Sequence, residues 1–65
     1  MLITTPKLKV GDNCLNVGGI VVSIGYNPVK RNYKIVFRGS LNNFEIIASR
    51  SRKWVVVNRE ENANA

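Results

Sequence analysis

The stretch PVKRNYKIVFRGS, residues 28–40, threads Lys30, Arg31, Lys34 and Arg38 through strand-forming residues that include Tyr33 and Phe37. Cations meet phosphates and aromatic rings stack on bases, so this interleaving suits a surface that holds a polyanion. A second basic cluster, Arg50, Arg52 and Lys53, runs directly into Trp54. Between Lys30 and Lys53 lie seven basic residues and one acid, Glu45. Tyr26, at a loop edge, and Trp54 are the candidate stacking residues. Core packing is the competing role for Trp54, because the run WVVV must pack against something, and for Tyr33. For the cations, the competing role is a solvated face that keeps a small domain soluble.

Other chemistry has almost no supply. There is no histidine, one cysteine (Cys14) and four acids, of which Glu60 and Glu61 lie at the C-terminal end. An enzyme needs a nucleophile, an acid–base group or a metal in suitable geometry. Asp12 is better explained by a turn and Glu45 by the outer face of a strand. The sequence NVGGI lacks the G-x-x-x-x-G-K-S/T pattern of a phosphate loop, and no helix follows it. No catalysis, cofactor or metal is expected. A zinc site of the usual Cys/His kind and an internal disulfide are excluded by the counts.

These residues must be positioned by a very small domain. The 65 residues make a single unit that buries only about 60% of the surface its unfolded chain exposes. The net charge is +6 with a pI near 10.1, and basic domains attract nucleic acids or acidic surfaces. Cys14 reads as a small core residue, and the lack of disulfides fits a reducing compartment. No signal-peptide pattern and no apolar run long enough to span a bilayer is present, so a soluble, cytoplasmic protein is expected, with no membrane partner.

Along the chain, residues 1–6 read as an N-terminal arm, ended by Thr4, Thr5 and Pro6. Leu8 and Val10 alternate with Lys7 and Lys9 before a Gly11–Asp12 turn. Cys14 to Asn16 makes a short strand, Gly18–Gly19 a bend, and Ile20 to Ile24 a β-branched strand with Ile20, Val22 and Ile24 on one face. Gly25 to Pro28 reads as a loop. In the third strand Tyr33, Ile35 and Phe37 face one way, and Lys34, Val36 and Arg38 the other. Phe44, Ile46 and Ala48 oppose Glu45, Ile47 and Ser49 in a fourth strand. A helix with Asn43 as its N-cap is the alternative for that segment. Trp54 to Asn58 closes the series, and residues 59–65 are expected to form a flexible, disordered tail.

KVGD at 9–12, GGIVVSI at 18–24 and YKIVF at 33–37 follow in an order that resembles the SH3-like small barrels, the group of KOW and Tudor-like domains. The resemblance covers residues 8–58 and implies an all-β, small five-stranded antiparallel barrel over residues 7–58. It also implies a binding module, since members of this group bind RNA, DNA, peptides or modified side chains. Two features depart from the group. The aromatics are too few for a methyl-lysine cage, and no acidic loop suits a Pro-rich peptide.

The expectation is therefore a basic DNA- or RNA-binding module that uses Lys30, Arg31, Lys34, Arg38, Arg50, Arg52, Lys53, Tyr26 and Trp54. The alternative is an adaptor that docks on an acidic partner protein, or on further copies of itself, through an outer face carrying Val21, Val36, Ile47, Val55 and Val57.

Overall fold

In the computed structural model, which describes residues 1–57, the alternating segments pair into one antiparallel sheet. Its strands are β1 (Leu2–Thr4), β2 (Asn13–Cys14), β3 (Gly19–Asn27), β4 (Asn32–Arg38), β5 (Asn43–Ser49) and β6 (Lys53–Val57), with a 3₁₀ turn at Thr5–Lys7. The order across the sheet is β1-β6-β2-β3-β4-β5. All-β architecture was expected, but six strands pair where five were expected, because residues 1–6 are not a separate arm. Leu2, Ile3 and Thr4 pair with Val55, Trp54 and Lys53. The segment expected to be a tail, residues 59–65, lies outside the described residues.

The sheet curls but its edge strands, β1 and β5, do not pair with each other. What ties the two sides together is Thr5. Its buried hydroxyl donates to the Ser49 carbonyl at 2.7 Å and accepts from Trp54 Nε1 at 2.9 Å. Its backbone N–H donates to the Arg52 carbonyl at 3.1 Å. The chain that follows β1 is thereby fastened to the end of β5 and to the central tryptophan. A threonine beside a proline gives no such signal in the sequence.

Two further boundaries differ from the sequence reading. Gly25, Tyr26 and Asn27 do not form a loop: β3 continues through them, paired with Lys34, Tyr33 and Asn32. Ile20, Val22 and Ile24 do not share a face either. A bulge between Val21 and Ser23 shifts the register, so Val21 opposite Phe37 and Ile24 opposite Ile35 both turn inward. An extra residue flips the side-chain phase of everything after it. Val21 is consequently buried and Val22 exposed. The segment from Asn43 is a strand, not a helix, and pairs with β4 along its whole length.

The core is Leu8, Cys14, Val21, Ile35, Phe37, Ala48, Trp54 and Val56. Phe37 lies at its centre, stacked on Phe44 at 5.4 Å and tilted against Trp54 at 5.6 Å between ring centroids. Gly19 sits under these rings: a Cβ there would lie 2.8 Å from Phe37 Cβ and 2.9 Å from Phe44 Cζ. Gly19→Ala is expected to destabilise the protein by about 1–3 kcal/mol, as overpacking does, read as a lower urea midpoint. An unchanged midpoint would mean that the rings can move aside without loss.

Candidate functional site

The ladder that joins β3, β4 and β5 decides which cations come together. Its last rungs are Asn27↔Asn32 and Asn32↔Ser49. Arg31 and Arg50 are each one residue beyond that rung on adjacent antiparallel strands, so both leave the sheet at the same end. Lys30 precedes Arg31 in the hairpin loop, and Lys34 lies two residues inside β4. Lys30, Arg31, Lys34 and Arg50 are all exposed and form a basic end of the sheet. Sequence reading left out Lys7. This residue, also exposed, lies in the 3₁₀ turn two positions beyond Thr5, which is bonded to Ser49 and Arg52.

The hairpin loop is shaped by Asn27, whose side-chain oxygen accepts from the Val29 and Lys30 amides at 3.0 and 3.2 Å. This is an Asx turn, in which a short side chain caps the bend in place of backbone. Arg31 then takes a left-handed conformation, φ 55°, a region in which non-glycine residues pay a steric cost. Arg31→Gly is expected to raise stability by about 0.5–1 kcal/mol through relief of that strain, seen as a higher melting temperature, while weakening any anion binding at this end. A fall in melting temperature would show that the arginine side chain stabilises the loop.

The other expected site residues fall elsewhere. Arg38 shares an outward face with Lys34 but sits at the far end of β4, opposite Ile20 and Asn43. At about 3.3 Å per residue it is some 20 Å from the loop cations, so it is not part of their cluster. Arg52 lies with its guanidinium carbon 4.5 Å from the centre of the Trp54 ring, a cation–π contact that engages it in covering the core. Lys53 is exposed on β6, next to Thr4. Trp54 is not a stacking residue. It is 0% exposed, its indole N–H is held by Thr5, and no base can reach its face. Tyr26 is 50% exposed and packs at 4.9 Å, tilted, on the half-buried Tyr33, so only Tyr26 keeps substantial open ring surface.

A groove of about 280 Å³ opens at this end, lined by Gly25, Tyr26, Asn27, Lys30, Asn32, Lys34 and Ile47. Gly25, Lys34 and Ile47 form one rung across three strands. Lys34 Nζ is 3.7 Å from Glu45 Oε2, with both side chains more than half exposed. A pair so open to water contributes little to stability.

Among the described residues, Asp12 has a structural position and Glu45 pairs with Lys34. Asp12 is buried and its carboxylate accepts the Lys9 amide at 2.9 Å, closing the turn expected there. Cys14 is fully buried in the core. Among the described residues, no three His, Cys, Asp or Glu side chains gather where they could hold a metal ion. Among them also, no helix is long and apolar enough to cross a membrane. No family model, curated protein or solved structure matches this chain.

Proposed function

We propose that this protein is a small non-catalytic nucleic-acid-binding module, whose contact surface is the basic end of the β3–β4–β5 sheet. The observation that carries the reading is the register that ends at Asn32↔Ser49, which leaves Arg31 and Arg50 as the next residues at the ends of adjacent strands, with Lys30 in the same loop and Lys34 just inside β4. Cations fixed at neighbouring strand ends can meet successive phosphates together, with counterion release as the driving force. The strain at Arg31 supports the same reading, since non-glycine residues held in left-handed conformations cluster at functional positions.

The reading includes a likeness to the SH3-like barrels. It is supported by the return of β6 to β2, which leaves five strands in the order β6-β2-β3-β4-β5 with β1 added at the β6 edge. Binding of short single- and double-stranded DNA and RNA at two salt concentrations tests the function. Micromolar or tighter affinity that falls steeply with salt is the expected result; absence of binding at low salt would overturn it.

One observation favours a protein partner instead. β5 is an edge strand of the sheet, seven residues long, and carries Ile47, 55% exposed, beside Lys34. An extended acidic segment could add to that edge through backbone hydrogen bonds, as could a second copy of the chain. The apolar residues expected to serve such docking are reduced by burial: Val21 is in the core, and Val36 and Val57 are half-buried, which leaves Ile47 and Val55. Failure to bind any oligonucleotide would move the search to this edge.

A further inference from the structure

Gly25 is the one glycine whose presence neither backbone conformation nor packing explains. Gly11 and Gly18 have positive φ, 98° and 69°. At Gly19 and Gly39 a Cβ would come within 3.0 Å of other atoms. Gly25 has no positive φ, and the nearest atom to a Cβ placed there is the Lys34 carbonyl oxygen at 4.0 Å. It stands inside β3, where a β-branched residue would fit and would strengthen the strand. A glycine within a strand, without a bulge or turn to require it, marks a place where something approaches the backbone closely.

That place is the floor of the groove. On its rung the neighbours are Lys34 and the exposed Ile47; at its rim are Asn27, Asn32 and Lys30. The Asn27 side-chain oxygen is engaged in the turn, which leaves its N–H donors for a ligand. The groove thus combines a flat floor without a side chain, an apolar wall, amides at the rim and two ammonium groups.

We propose that the Gly25 groove receives one unpaired base of a single-stranded nucleic acid, its face over Gly25 and the aliphatic stem of Lys34 with Tyr26 and Ile47 at its sides, its edge at the Asn27 and Asn32 amides, and its phosphates at the Lys30 and Lys34 ammonium groups. An unpaired base offers both a free face and a full hydrogen-bonding edge; a base stacked in a duplex offers only edges in the grooves. The proposal rests on the polyanion reading above and adds the ligand class to it.

The test is fluorescence anisotropy with the full chain and labelled short single strands of DNA and RNA, the same strands built from abasic residues, and a duplex. Base-containing single strands of either sugar are expected to bind about tenfold tighter than abasic ones, with duplex close to the abasic level. Gly25→Val, which fills the groove without backbone strain, is expected to bring the base-containing strands down to the abasic level, with a melting temperature no lower than that of the wild type. Equal affinity of the wild type for base-containing and abasic strands would overturn the pocket and leave the polyanion reading standing. A base preference that survives in Gly25→Val would overturn the groove as its location. No binding to any strand would overturn both.

Discussion

Thr5→Val should lower the melting temperature by roughly 5–20 °C, more than the replacement of an exposed hydroxyl by a methyl group would. The substitution keeps the shape of the side chain but leaves Trp54 Nε1 buried without its 2.9 Å acceptor, while the Ser49 carbonyl loses its 2.7 Å donor and keeps only the Arg52 amide at 3.3 Å. An orphaned buried donor costs about 1–3 kcal/mol, and the weakened bonding of the Ser49 carbonyl adds to that. For a domain of this size one kcal/mol corresponds to about 4–8 °C. A chain of this length has roughly 3–10 kcal/mol of stability in total, so the loss is a large fraction of it. Thr5→Ser, which retains the hydroxyl and loses only a methyl group, should cost about 1 kcal/mol. Thermal denaturation of both variants distinguishes the hydroxyl from packing. If valine and serine proved equally mild, Thr5 would not be what joins the β1 side of the sheet to the end of β5.

The largest functional effect is expected from reversing charge at the basic end. The triple change Lys30→Glu, Arg31→Glu and Arg50→Glu should weaken oligonucleotide binding by at least about a hundredfold at low salt and lower the slope of log affinity against log salt by about 2–3, one contact for each cation removed. All three residues are exposed, so the melting temperature should change little. Arg38→Glu is the control: it changes net charge by the same amount per residue, yet lies at the opposite end of β4. It should alter affinity less than about threefold, an effect of the general field alone. Should Arg38→Glu weaken binding as much as each of the other three, net charge and not the cluster would be responsible.

Much of this architecture is written in the side-chain period. In β4 and β5 the inward sets Tyr33, Ile35, Phe37 and Phe44, Ile46, Ala48 were legible because antiparallel strands with one wet face alternate strictly. In β3 the same logic failed at the bulge after Val21, which inserts a residue without any signal in a run of β-branched side chains. Gly25 read as loop because glycine and a nearby proline usually end strands. The strand persists because Lys34 and Tyr33 on β4 supply partners that local propensity does not contain. The arm read from Thr4, Thr5 and Pro6 became β1 for a similar reason: its partner, β6, lies some fifty residues away in the chain.

The candidate site divides along the same line. Its residue types, cations set among strand formers, were evident from composition and order, and so was the poverty of catalytic groups. Which cations act together was not. Strand register puts Arg31 and Arg50 at the same end of the sheet and Arg38 at the other, while Arg52 lies over Trp54. Trp54 appeared as either a stacking ring or a core residue; the Thr5 hydroxyl and the ring of Phe37 make it core. By itself the sequence determined the all-β class, the outward charge and the inward aromatics, because these follow from an alternation of period two. Only the tertiary structure decided the tie through Thr5, the grouping of the cations and the open floor at Gly25, because each depends on pairings between residues far apart in the chain.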